Sequence, residues 1–319
     1  MNLLILILLL PVHGFSWGFF AHQRINRLAI FTLPPEMIGF FKYHVQYITE
    51  NAVAPDRRRY AVDGEAPRHY IDLDVYGDSV LYLMPRTWEA AVEKFSEDTL
   101  MAYGIVPWHI NFMKFRLTEA FRKKDWKNII KLSTEIGHYI ADAHVPLHTT
   151  LNYNGQLTNQ IGIHGFWESR LPELFSDDYD FFVGQANYIQ HPQSKAWEIV
   201  SSSHAALDTV LTFEKELSHR FSADKKYSFE ERNNIITRVY SKEFSQAYHN
   251  LLAGQVERRM RASVKAIGDF WYTCWVDAGQ PELQPILNPE EKPEDLLEEI
   301  KNLPQQSGKG IRDHESGVD

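Results

Sequence analysis

Apolar positions along this chain recur at three- and four-residue spacing, and almost nowhere at alternate positions, which predicts helices rather than strands. The clearest stripe is Ile129, Leu132, Ile136, Ile140 and Ala143, preceded by Asp125 as a helix N-cap. Further upstream, Ile25, Leu28 and Ala29 mark a helix that opens near His22 and stops at Leu33-Pro34-Pro35. A second helix is expected from Pro35 to Ile48, and others over Leu83 to Leu100, Pro107 to Arg122 and Ser194 to Phe221. Ser228 and Glu231 have the spacing of a capping box, predicting a helix that runs to about Leu252. A last helix reaches Ala278 and is closed by Gly279 and Pro281. Between these, Ala54 to Arg59 reads as a charged loop, Arg68 to Asp74 as a short extended or irregular piece, and Asn152 to Gly165 as a loop. No internal repeat is present. The expected fold class is all-α, a single-domain helical bundle over residues 17–280.

The two ends differ from this body. Leu3 to Leu10 is an unbroken apolar run, too short to span a bilayer, and Pro11 ends it. Gly14 and Ser16 supply small residues at −3 and −1 of a cleavage site. Residues 1–16 are therefore expected to be a signal peptide, with export (secreted or periplasmic) and a mature chain starting at Trp17. Residues 281–319 are rich in Pro, Glu, Lys and Gly and read as a flexible tail. No later segment is long and apolar enough to be a transmembrane span.

Charge and cysteine usage narrow the picture. A formal net charge of −9 disfavours nucleic-acid binding by bulk charge, while leaving room for a local basic groove. The single cysteine, Cys274, excludes an intrachain disulfide and is expected to be a buried small hydrophobe.

Chemistry concentrates in the run from His138 to His148. His138 and Asp142 stand at i, i+4 and share one helix face, roughly opposite the buried stripe, where an open cleft is expected. Pro146 cannot continue that helix, so His148 turns out on the exit loop. His164 and Glu168 repeat the i, i+4 spacing. With His22, Asp56 and His69 the candidates come to five imidazoles and three carboxylates, without a thiolate. Such a set suits Zn²⁺ in a catalytic site, and it is too large for one tetrahedral ion. His204 and Asp208, also i, i+4, lack a third partner and read as surface. His144 points elsewhere on its helix, behind the ligands or at the surface, and His109 has no local partner.

Taken together, Trp17-(x4)-His22, Asp56, His69-Tyr70-x-Asp72, His138-Tyr-x-x-Asp142-x-x-x-Pro146-x-His148 and His164-x-x-x-Glu168 form a pattern. It resembles the zinc-dependent phospholipase C / S1–P1 nuclease superfamily of trinuclear zinc phosphodiesterases. The resemblance covers most of Trp17 to Glu168 by motif and, more loosely, the helices to about Gly279. It implies three zinc ions: one held by Asp56, His69 and His138, with Asp142 bridging to a second held by His22 and by the amine and carbonyl of Trp17. The third is implied at His148, His164 and Glu168. The implied activity is hydrolysis of phosphate esters by a metal-activated hydroxide, with Asp56, Asp142 and Arg59 catalytic and Arg59, Tyr70 and Asp72 contacting substrate. Asp56 could also take a proton from the attacking water. Arg59 has an alternative reading as one member of a solvated Arg57-Arg58-Arg59 run.

The family divides by substrate, and the residues here divide too. Glu168 and the short interval from His148 to His164 match the phospholipases, whereas Arg59 matches the nucleases. Eukaryotic nucleases of this kind carry disulfides, which this chain cannot form. Ala141 stands where the family usually has Gly or Thr, and Asn152 falls one position late for the phospholipase pattern. The expectation is a phospholipase C-like hydrolase acting on a phospholipid head group. An S1/P1-type nuclease cutting single-stranded DNA or RNA is the alternative, and a non-catalytic exported zinc-binding protein is the third. No obligate protein partner is evident.

Overall fold

Proline sets many of the helix starts in this computed structural model, which describes residues 18–77, 79–232 and 235–283. The expected signal peptide, Trp17 and most of the tail lie outside the described residues. The first half of the chain forms α1 (Gly18–Ala29), α2 (Pro35–Tyr43), α3 (Val45–Asn51), α4 (Ala54–Arg58), α5 (Val80–Leu83), α6 (Trp88–Phe95), α7 (Glu97–Tyr103), α8 (Val106–Lys123) and α9 (Trp126–Ala143). The second half forms α10 (Leu171–Phe175), α11 (Pro192–His204), α12 (Leu207–Ser218), α13 (Ala223–Lys226), β1 (Tyr227–Arg232), β2 (Ile235–Tyr240), α14 (Lys242–Leu251) and α15 (Gln255–Asp277). Pro35, Pro55, Pro107, Pro172 and Pro192 each fall in the first turn of a helix, where a missing N–H costs nothing. The structure is 69% helix and 4% strand, so the all-α class holds.

Three expected long helices are broken. The stretch from Pro35 breaks at His44, that from Leu83 is non-helical over 84–87 and breaks again at Ser96, and that from Ser194 breaks at Ala205–Ala206. At Ser96 the backbone turns to φ 67°, and its hydroxyl caps α7 by accepting from Thr99 N at 3.3 Å. Apolar spacing stays in phase across such kinks, so it does not reveal them. The Ala54–Arg59 loop is instead the single-turn helix α4.

The capping box at Ser228 is also corrected. Tyr227–Arg232 and Ile235–Tyr240 pair as antiparallel strands, with Tyr227 opposite Tyr240 and Phe229 opposite Arg238. β2 (IITRVY) is rich in β-branched residues, and Tyr227 and Phe229 add aromatics on β1, which favours the pleated surface over a helix. The helix that follows is capped by Ser241, whose hydroxyl accepts from Phe244 N.

At the centre lies α9. Asp125 caps it as expected, accepting from Asn128 N at 3.2 Å. Its neighbours α8, α15, α3, α1 and α11 surround it, and every residue from Leu132 to Ala143 is buried. The expected open face therefore does not exist: His138 and Asp142 point into the interior. Gly137 lets α1 come this close. A Cβ there would lie 1.9 Å from the Asn26 side-chain oxygen, and the approach stacks the His22 and His138 rings with centroids 4.1 Å apart.

Along the other side, α15 packs on α1, α8 and α9. Trp271 is fully buried, donates to Ser133 O at 2.9 Å and stacks on Phe41. Removing so large an apolar group from water contributes about 3 kcal/mol. Leu283 is also buried, and Trp275 Nε1 donates to Pro281 O, so the packed body extends past Gln280. No described helix is long and apolar enough to cross a membrane.

Candidate metal centre

Six segments deliver the predicted ligands: α1 (His22), α4 (Asp56), a 3₁₀ turn at Ala66–His69, α9 (His138 and Asp142), a second 3₁₀ turn at Pro146–Thr149 (His148), and the stretch leading into a π-helical turn at Gly165–Arg170 (His164 and Glu168). As Pro146 predicts, α9 stops and His148 leaves on the turn beyond it. The backbone then stitches the turns together, with Ile71 N donating to His148 O at 2.9 Å.

Two of the histidines have their orientation set by carbonyl groups. His138 Nδ1 is 2.9 Å from Ala52 O, and His148 Nδ1 is 2.6 Å from His69 O. A carbonyl only accepts, so in both rings Nδ1 carries the proton and Nε2 offers its lone pair to the interior.

Around those lone pairs the remaining groups converge. His138 Nε2 lies 3.0 Å from His69 Nδ1, 3.2 Å from Asp142 Oδ2 and 3.4 Å from Asp56 Oδ1. His69 Nδ1 lies 2.9 Å from Asp142 Oδ2. The second carboxylate oxygen, Asp142 Oδ1, faces His22 Nε2 at 3.1 Å. Further along, Glu168 Oε2 is 2.7 Å from His164 Nε2 and 3.4 Å from His148 Nε2, and those two nitrogens are 3.2 Å apart. Glu168 Oε1 turns back to His22 at 3.8 Å. All eight described candidates are thus brought together. Asp142 and Glu168 each join two neighbouring ligand groups.

The donor set fits divalent cations. Inward lone pairs meet carboxylate oxygens at about 3 Å, an arrangement that demands positive charge between them, as a proton or as a metal. Nitrogen and oxygen donors without sulfur suit zinc and similar ions. Seven of the eight residues are buried, and Asp56 is the one partly open to solvent, its side chain 16% exposed.

Without a cation, protons would have to meet this demand. Burial would lower the His138 pKa, but the Asp142 and Asp56 carboxylates outweigh it and hold the imidazole well above its ordinary value. Burial likewise opposes ionisation of Asp142, yet His138 and His148 hold its carboxyl well below the usual range. Glu168 is held low against the same desolvation by His148 and His164. Histidines outside the candidate ligand set behave differently. Burial pushes His109 and His144 down to about 3, so both remain neutral.

Three consecutive arginines have three different surroundings. Arg57 lies over the Phe19 ring. Arg58 is tied to Glu65, Glu135 and Tyr139. Arg59 is 1% exposed, and none of its three guanidinium nitrogens has a hydrogen-bond partner among the described residues. Its guanidinium lies 5.9 Å from the centroid of the Tyr70 ring. The reading of this run as solvated is therefore corrected for Arg58 and Arg59. Tyr70 and Asp72 are buried as well. Gly104 makes room for Tyr70, since a Cβ there would meet Tyr70 O at 2.2 Å.

Several supporting residues escaped the sequence reading. Asp74 accepts from the Thr150 hydroxyl at 2.7 Å and from Leu151 N at 2.9 Å, pinning the start of the loop between His148 and His164. His204, expected at the surface, is half-buried and lies 3.1 Å from the Thr149 hydroxyl, next to His148. It ends α11, whereas Asp208 is on α12, so the two do not share a helix face. His144 lines a small cavity with His22 and Glu168. Cys274 is buried and its thiol is pushed up to about 12, as its small-hydrophobe reading requires.

No family model matches the chain, and no curated protein matches it.

Proposed function

We propose that this chain is a zinc-dependent phosphodiesterase of the phospholipase C / S1–P1 type, holding three ions and exported with cleavage before Trp17. The observation that carries the reading is the continuous buried cluster, in which Asp142 and Glu168 link neighbouring groups of ligands. A closed structural zinc site would use four ligands, usually thiolate-rich, and would not leave Asp56 open to solvent.

Asp56, His69, His138 and Asp142 would hold one ion, and His22 and Asp142, with the Trp17 terminus, a second. His148, His164 and Glu168 would hold the third. When bound, the ions supply Lewis acidity, which acidifies water and neutralises charge on phosphoryl oxygens. Asp56, ionised and partly exposed, would accept a proton from the attacking water. Arg59 would pair its guanidinium with a phosphoryl oxygen.

The phospholipase C-like form of this reading stands first. Glu168 closes the ligand set, and the short loop joining His148 to His164 exposes Leu151, Leu157 and Ile161, an apolar surface suited to acyl chains. The nuclease form is favoured by Arg59, whose buried guanidinium has no hydrogen-bond partner among the described residues and would be a strong phosphate anchor. Hydrolysis of bis-p-nitrophenyl phosphate by the purified, zinc-loaded protein tests the class. Bound zinc with no turnover would leave only the non-catalytic zinc-binding reading. Phosphatidylcholine micelles and single-stranded DNA offered side by side test the branch, and cleavage of DNA alone would overturn the lipid reading.

A further inference from the structure

Beside the close pair of ligand groups lies a charged knot that the reaction chemistry leaves unused. Glu65 is fully buried. Its Oε2 accepts from Arg58 Nε at 3.0 Å and from Arg68 Nη1 at 2.7 Å, and its Oε1 accepts the Tyr139 hydroxyl proton. Arg58 continues the knot, donating through Nη1 to Glu135 at 2.7 Å and through Nη2 to Tyr139 Oη at 3.0 Å. Desolvating so many charges is expensive, and apolar replacements of the same shape often leave stability unchanged or raise it. Stability alone is a weak reason for the arrangement.

Its location supplies a better one. The knot touches three of the segments that carry ligands of the close pair: α4, the Ala66–His69 turn and α9. Arg58 is two residues from Asp56, Glu65 is four residues before His69, and Tyr139 adjoins His138. His69 turns Nδ1 to the cluster. Its other nitrogen, Nε2, is buried, has no hydrogen-bond partner among the described residues, and faces Glu65 Oε1 at 3.6 Å. That gap is longer than a hydrogen bond, and a shift of about half an ångström closes it. An imidazole that gives its Nδ1 lone pair to a cation carries its proton on Nε2. The group facing that proton is the Glu65 carboxylate, itself immobilised by two arginines and a tyrosine.

We propose that Glu65, held by Arg58, Arg68 and Tyr139, is a positioning residue that fixes His69 as the Nε2–H tautomer and aims its Nδ1 at the metal pair. The inference rests on the reading of the cluster as a metal centre. Carboxylates placed in this way behind a ligating histidine raise its basicity and are worth about 10- to 100-fold in metal affinity.

The test compares wild type with Glu65→Gln, which keeps shape and loses charge, and with Glu65→Leu, which also loses the acceptor. Zinc affinity is measured by chelator competition, and the His69 tautomer by ¹⁵N chemical shifts of the ring. Affinity of the close pair is expected to fall about 10-fold in the glutamine variant and about 100-fold in the leucine variant. The His148–His164–Glu168 ion should be retained in both. The metal-free variants should show His69 partly as the Nδ1–H tautomer. A purely structural knot would lower the melting temperature while leaving zinc affinity and tautomer at wild-type values, and that result overturns the proposal. Should the leucine variant fail to fold, the glutamine variant decides alone. Failure of wild type to bind zinc at all would instead overturn the metal-centre reading and this inference with it.

Discussion

His138 Nε2 and His69 Nδ1 lie 3.0 Å apart in the interior of the bundle, with Asp142 Oδ2 within 3.2 Å of both. The metal-free protein must keep a proton here, and a cation would replace it. His138 is held well above 6.5, so its protonated form stabilises the metal-free fold fully below about pH 6.5, and that contribution is lost as pH rises through the raised value. Asp142, held well below 3.8, stabilises above that value and loses its effect only in strong acid. Zinc needs unprotonated imidazoles, so its contribution grows with pH. The gap in melting temperature between zinc-loaded and chelated protein should widen from about pH 6 to about pH 8. A gap that stays constant would contradict the assignment.

Asp142 serves two ligand groups through its two oxygens. Asp142→Ala is therefore expected to lose two ions, counted by native mass spectrometry. Glu168→Ala should lose the ion at His148 and His164. Because Glu168 Oε1 also faces His22 at 3.8 Å, it should weaken binding on that side as well. Equal metal content in both variants would show that neither carboxylate bridges.

Arg59 carries a buried charge with no hydrogen-bond partner among the described residues. Replacing it with methionine keeps most of the volume and removes the desolvation cost. Arg59→Met should lower kcat/KM on bis-p-nitrophenyl phosphate by about 10- to 100-fold, the value of one charge-assisted hydrogen bond. The urea midpoint should rise at the same time. Loss of both activity and stability would mark Arg59 as a structural residue.

Gly137 governs how closely α1 approaches α9. In Gly137→Ala the new methyl meets the Asn26 side chain, costing about 1–3 kcal/mol. It should also move His22 away from His138 and Asp142. Calorimetric titration with zinc should show weaker binding at His22 and unchanged binding at His148 and His164.

Processing gives a further check. The intact mass of exported protein should correspond to a chain beginning at Trp17. A variant retaining two extra residues should bind one zinc fewer, whereas full metal content in that variant would remove Trp17 from the ligand set.

Among the eight described candidate ligands, His138, Asp142, His148, His164 and Glu168 were legible because their spacing is local, whereas His22, Asp56 and His69 stand far apart in sequence and joined the set only in combination with them. His138-x-x-x-Asp142 and His164-x-x-x-Glu168 declare a shared helix face, and Pro146 declares an exit. Depth was not legible. The 3.6-residue period placed His138 and Asp142 opposite one stripe but did not show that helices cover the other side too. Arg57, Arg58 and Arg59 look alike in sequence, and only the rotation along α4 sends each to different surroundings. The strand pair was hidden because Ser228 and Glu231 imitate a capping box. Glu65 carried a faint signal, its i, i+4 spacing to His69, which the intervening Pro67 obscured.

Cations at this centre would act as cross-links. The ligands come from positions as distant as His22 and Glu168, so binding closes very long loops that the unfolded chain would otherwise leave free, and loop closure constrains the unfolded ensemble most when the ends are far apart in sequence. Chelation would then do to this protein what reduction does to a disulfide-bonded one. It would loosen α1, the 3₁₀ turns and the π-helical turn together, and expose the bundle to proteases along its whole first half.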